Sequence, residues 1–126
     1  MSTTDTGKLG EQIAAKYLKK QKYKILETNK HESHNELDLI VSNREYLVFV
    51  EVKTRSVASD LYSDYGTPAS AVTKGKQRRT IQAAQAYLSK HTTSKQIRMD
   101  VIEVYLDRDT KKPLKIHHIP NAFGIK

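Results

Sequence analysis

Apolar positions near the start of the chain recur at helical spacing. Leu9, Ile13, Ala14, Tyr17 and Leu18 share one face at about 100° per residue, which predicts a helix from about Thr6 to Gln21. Gly10 interrupts that face, where a missing side chain allows close approach of another element, and Glu11 lies at its edge. The period then shortens. Tyr23 to Thr28 reads as a short strand, Asn29 to Asn35 as a polar turn or irregular link, and Glu36 to Val41 as a second strand. After a hairpin connection at Ser42 to Glu45, Tyr46 to Thr54 forms the clearest strand. It begins apolar on both faces, as a central strand covered on both sides does. Ser56 to Pro68 reads as a long loop, Thr73 to His91 as a second helix with Ile81, Ala84 and Leu88 inward, and Ile97 to Leu106 as a strand. Asp107 to Lys112 turns the chain into a last strand, Leu114 to Ile119, which Pro120 ends. The second helix is a crossover, so the strand after it runs parallel to a neighbour with a right-handed connection. The expected fold is α/β: a mixed central sheet flanked by helices.

At 126 residues with no cysteine, the chain fits one domain, 1–126 with its core at about 6–123, without disulfides, thiolate metal sites or a cysteine nucleophile. No apolar run approaches a membrane span and the N-terminus shows no secretion signal, so the expectation is a cytoplasmic protein with no membrane partner. The net charge of +8 is unevenly placed: residues 1–63 carry +1 and residues 64–126 carry +7. No acid occurs between Tyr65 and Met99, where Lys74, Lys76, Arg78, Arg79, Lys90, Lys95 and Arg98 fall. A field of one sign attracts phosphate chains, although a solvated helix face has the same composition.

The informative charges interrupt apolar strands. Glu51 and Lys53 alternate with Val48, Val50 and Val52 and so point to the opposite face. A hairpin centred on Asn43-Arg44 sets Asp38 on the strand beside Glu51. Two carboxylates in one partly apolar patch raise each other's pKa, and a hard divalent cation relieves that conflict. A structural ion pair at a sheet edge is the plainer reading of these residues. Against it stands their position in the most hydrophobic strand, where charge has no ordinary structural use. Arg55 points to the same side as Lys53 and suits a phosphate contact, and Gln77 sits polar on the inner side of the second helix. Tyr62 and Tyr65 offer aromatic platforms for bases, or simple loop packing. The histidines show no metal-ligand spacing, and His117 and His118 alternate faces.

As an ordered set, Gly7-Lys8-Leu9-Gly10-Glu11, Glu36-Leu37-Asp38-Leu39-Ile40, Val48-Phe49-Val50-Glu51-Val52-Lys53-Thr54-Arg55, Ala71-Val72 with Lys76, Arg98-Met99-Asp100-Val101 and His118-Ile119-Pro120-Asn121-Ala122-Phe123 resemble the YraN family. The likeness runs from about Gly7 to Phe123. That family is similar to the restriction-endonuclease-like nucleases of the PD-(D/E)xK type, which include archaeal Holliday-junction resolvases. The resemblance implies an αβββαβ core and a Mg²⁺- or Mn²⁺-dependent nuclease acting on DNA, and it leaves room for a homodimer. It implies Asp38 and Glu51 as metal ligands, Lys53 as the catalytic lysine and Glu11 as the helix carboxylate; the Val52 carbonyl is a candidate additional ligand. Arg55, Lys74, Lys76, Gln77, Arg78 and Arg79 are the candidate nucleic-acid contacts. Leu37 and Asn35 depart from the superfamily pattern, in which proline and a small residue stand there. A nucleic-acid-binding module without turnover is the alternative function.

Overall fold

The computed structural model describes residues 3–58 and 72–124; Tyr62, Tyr65 and most of the long loop lie outside the described residues. Helix α1 spans Thr3–Lys20, followed by strands β1 (Lys24–Glu32), β2 (Asn35–Ser42) and β3 (Tyr46–Val57), helix α2 (Lys74–Lys90), and strands β4 (Gln96–Asp107) and β5 (Pro113–Phe123). The five strands form one sheet in the order β1-β2-β3-β4-β5. β3 and β4 are parallel across the α2 crossover, and the other three pairings are antiparallel. This is a restriction-endonuclease-like α/β core with a mixed sheet between helices.

The alternation in β3 builds both layers. Val48 and Val50 pack with Ala14 and Leu18 of α1, while Leu47 and Phe49 pack with Ala83, Ala84 and Tyr87 of α2. All of these side chains are buried, so β3 is central and covered on both sides. The inward face of α2 centres on Thr80, Ala83, Ala84 and Tyr87. Ile81 and Leu88, expected on this face with Ala84, pack against the core as half-buried rim residues around Ala83 and Ala84. Thr73 caps α2, its Oγ1 accepting the Lys76 N–H at 3.2 Å.

Three expectations are corrected. Asn29 to Asn35, expected as a turn or irregular link, is a turn only at Ser33 and His34: β1 continues to Glu32 and β2 begins at Asn35. Both turn residues have positive φ, 50° and 65°, the backbone that lets a two-residue hairpin follow the strand twist. Ladder pairing carries these polar residues into the strands, with His31 opposite Glu36 and Lys30 opposite Leu37. Ser56 and Val57, expected in the loop, extend β3 against Leu106 and Asp107 of β4. Finally, Pro120 does not end the last strand. β5 lies at the sheet edge, where a missing N–H is tolerated, and the register shifts between Met99 and Val101 to accommodate it. Asn121, at φ 52°, then donates its N–H at 2.9 Å to the Asp100 carboxylate.

Asp100 anchors this side of the molecule. It is fully buried, receives both Arg98 Nε and a terminal Arg98 nitrogen at 2.8 Å, and lies 2.7 Å from His118 Nε2. Burial works to raise its pKa, but the hydrogen bonds from His118, Arg98 and the Asn121 N–H outweigh it and hold the carboxylate below its usual range. The network reaches α1 through His118 Nδ1 and the Tyr17 hydroxyl, 3.0 Å apart, and Arg98 donates at 2.6 Å to the hydroxyl of Tyr23, just past the helix.

Candidate metal centre and nucleic-acid interface

Pairing between β2 and β3 runs from Ser42↔Leu47 to Leu39↔Val50 and stops there. Asp38 is the next residue of β2. Its Oδ2 accepts the Val52 N–H at 2.9 Å, so a side chain takes the place of a ladder carbonyl where the strands part. Glu51 stands at the same point on β3, and its charge acts on Asp38. Burial, then the charge of Glu51, push the Asp38 carboxyl up to about 7, against the Val52 N–H, which favours the charged form. Burial also raises Glu51, opposed chiefly by Lys76. The pair therefore holds less than its full negative charge at neutral pH unless a cation joins it.

Two further carboxylates converge on Asp38. Glu11 of α1, Glu36 of β2 and Asp38 each place an oxygen within 4.8 Å of the others. Glu11 is brought there by Gly10: α1 crosses β3 so closely that a Cβ on Gly10 would overlap the Thr54 side chain. Asn29, at φ 49°, spans the group from β1, its Nδ2 donating to Glu11 Oε1 at 2.9 Å and to Glu36 Oε1 at 2.7 Å. A groove of about 300 Å³ between α1 and β1, lined by Lys8, Gln12 and Thr28, opens on Glu11 and Asn29. The donor set is oxygen throughout, and its charges repel one another. That chemistry fits a hard divalent cation and disfavours soft metals.

Lys53 is exposed and makes no ion pair among the described residues. The cation that meets Glu51 is Lys76, with Nζ 3.5 Å from Oε1. Arg55 points its Nε at Glu103 Oε2, 3.0 Å away. Glu103 is fully buried and also lies 3.5 Å from His117 Nδ1. Gln77 gives its side-chain amide to the Val72 carbonyl at 3.2 Å, at the start of α2. Lys74, Arg78 and Arg79 are exposed on that first part of the helix.

Glu36 and Asn29 are members of the cluster that the residue pattern did not single out. Glu36 carried a signal, since it stands two residues from Asp38 on one strand and shares its face. Asn29 carried none, because its place depends on the register of β1 against β2.

An α/β sheet whose parting strands gather carboxylates and a lysine defines the class: a nuclease-like fold with a candidate metal centre. The chain belongs to the YraN family, described as "Uncharacterised protein family UPF0102", whose family model matches residues 10–104. It is similar to the UPF0102 protein of Caldanaerobacter subterraneus subsp. tengcongensis, 43% identical over 118 residues, which covers 93% of each chain. The UPF0102 protein of Trichlorobacter lovleyi is 44% identical over 121 residues, covering 94% of this chain and 90% of the relative. That of Chlorobium chlorochromatii is 41% identical over 128 residues, covering 99% and 95%. No helix among the described residues is long and apolar enough to cross a membrane.

Proposed function

We propose that this protein is a divalent-metal-dependent endonuclease that hydrolyses DNA phosphodiester bonds, with branched or otherwise structured DNA as its substrate class. The observation that carries the reading is the Asp38–Glu51 pair at the parting of β2 and β3, where burial raises both carboxyl groups and the Glu51 charge raises Asp38 further. A site of that kind is under-neutralised by the protein alone, and Mg²⁺ or Mn²⁺ supplies the missing charge. When bound, the cation would acidify a water and stabilise charge accumulating on the phosphate.

Asp38, Glu51 and the Val52 carbonyl would hold the cation, with Glu11 and Glu36 completing the oxygen donors around Asp38. Val52 serves this arrangement twice, since its N–H fixes the Asp38 carboxylate. Lys53, on the solvent side of the same strand, would orient the attacking water. Arg55, Lys74, Lys76, Arg78 and Arg79 would hold the backbone phosphates, with Gln77 beside them. The excess of basic residues in 64–126 supports that half of the assignment.

The test is cleavage of single-stranded, duplex, flapped and four-way-branched DNA in Mg²⁺ or Mn²⁺, with Asp38→Asn purified in parallel. Metal-dependent products from the wild type alone support the nuclease. Salt-sensitive binding that yields no product and ignores Mg²⁺ would replace it with a binding module lacking turnover.

A further inference from the structure

Two lysines flank the acidic site, and they are not equivalent. Lys53 lies on β3 itself, is exposed, and approaches no carboxylate within ion-pair distance among the described residues. Lys76 arrives from α2 across the face of the sheet. Its Nζ is 3.5 Å from Glu51 Oε1, and it is the strongest favourable charge acting on that carboxylate, ahead of Lys53. It also acts on Asp38.

The backbone of Lys76 is held while its side chain is only half-covered. The Thr73 side chain accepts the Lys76 N–H at 3.2 Å, which fixes the first turn of α2. That turn contains no acidic residue, so nothing on the helix itself competes with Glu51 for the ammonium. The Lys76 side chain is 38% exposed against 13% for Glu51. An ion pair at 3.5 Å with one half-exposed partner is weak and easily exchanged. Lys76 thus sits on an oxygen that a cation requires, on a long stem, at the border between the buried site and the exposed basic start of α2.

Resting on the metal-site reading above, we propose that Lys76 is the built-in counter-ion of the centre: it neutralises Glu51 until a divalent cation takes that carboxylate, and is then released to the substrate's phosphate backbone. Two positive groups cannot occupy the same carboxylate oxygens without repulsion, and the flexible lysine is the one able to leave. Cation and nucleic acid are then coupled through one side chain. By linkage, the cation tightens DNA binding by the same factor that DNA tightens cation binding.

The experiment uses the full chain, a four-way DNA junction and Ca²⁺ as the probe cation. Ca²⁺ binding is measured by calorimetry without DNA, and junction binding by fluorescence anisotropy with and without Ca²⁺. Wild type, Lys76→Met, Lys76→Arg and Asp38→Asn are compared. Lys76→Met should bind Ca²⁺ about three- to tenfold tighter than wild type, the span expected from removing a weak competing ion pair. It should also lose most of the Ca²⁺-dependent gain in junction affinity. Lys76→Arg should restore both behaviours toward wild type, which a merely structural role would not require. Ca²⁺ binding that depends on Asp38 but is unchanged or weakened in Lys76→Met would overturn the counter-ion role and leave the metal site standing. Absence of Ca²⁺ binding by the wild type would overturn the metal site and the inference together.

Discussion

Asp38 Oδ2 accepts the Val52 N–H at 2.9 Å across the gap where β2 leaves β3. One carboxylate therefore both closes the sheet at its parting point and faces the other acids of the centre. The two duties separate in Asp38→Asn, whose side-chain oxygen can still accept from Val52. The variant should stay folded, lose divalent-cation binding and cleave no substrate. Circular dichroism with calorimetric metal titration checks this, and retained metal affinity would remove Asp38 from the site.

Stability should respond to pH in a definite direction. The Asp38 carboxyl is pushed up to about 7 in the folded chain, far above its unfolded value, chiefly by burial. Between the two values the folded protein binds the extra proton, so metal-free stability falls as pH rises from about 4 through 7, by an amount on the order of a few kcal/mol. A bound cation removes that penalty. Thermal melts should show Mg²⁺ raising Tm more at pH 8 than at pH 5.5, and Asp38→Asn flattening the metal-free profile. A wild-type Tm that climbs across the same range without metal would contradict the assignment.

Gly10 sets the distance between α1 and β3, because a Cβ there meets Thr54. Gly10→Ala should cost about 1–3 kcal/mol by overpacking, despite the better helix propensity of alanine. It should also weaken metal binding by moving the neighbouring Glu11. Chemical denaturation and metal titration of one preparation measure both effects. A variant more stable than wild type would show that α1 can retreat at no cost.

Asp100 carries no chemistry in this scheme, and its loss should appear as stability. Asp100→Ala leaves Arg98 without its carboxylate in a largely buried place, and breaking such a pair costs about 3–5 kcal/mol. Urea unfolding should show that loss. Where the variant is still folded, its affinity for the probe cation should match wild type.

Arg78 and Arg79 are exposed at the start of α2 and belong to the proposed backbone-binding face. Replacing both with alanine should weaken DNA binding for every sequence tested. It should also reduce the slope of log affinity against log salt by about 1.8, roughly 0.9 for each lost duplex phosphate contact. An unchanged slope would place the DNA elsewhere.

Much of the fold was legible because periodicity reports burial. The spacing of Leu9, Ile13, Ala14 and Leu18 located α1, and the unbroken apolar start of β3 marked the central strand. That β4 runs parallel to a neighbour followed from the helix before it, and the pairing in the sheet names that neighbour as β3. Polar stretches were harder. Asn29 to Asn35 shows no hydrophobic alternation, yet hydrogen bonds to β2 make its flanks strand. Pro120 looks like a stop, and only its place on the outer strand, with Asn121 turned to Asp100, explains why β5 continues.

Asp38, Glu51 and Lys53 stood out in the sequence because charge inside apolar strands is costly and local pattern exposes it. That cost, the helix and strand periods, and the basic excess of the second half are properties of the chain alone. Packing decided which groups meet: Glu11 through the close approach at Gly10, Asn29 through the β1 register, and Lys76 through the position of α2 over the sheet. Those contacts join residues far apart in the chain, and no local period encodes them. They exist only once the strands part at Asp38 and the two helices settle on opposite faces.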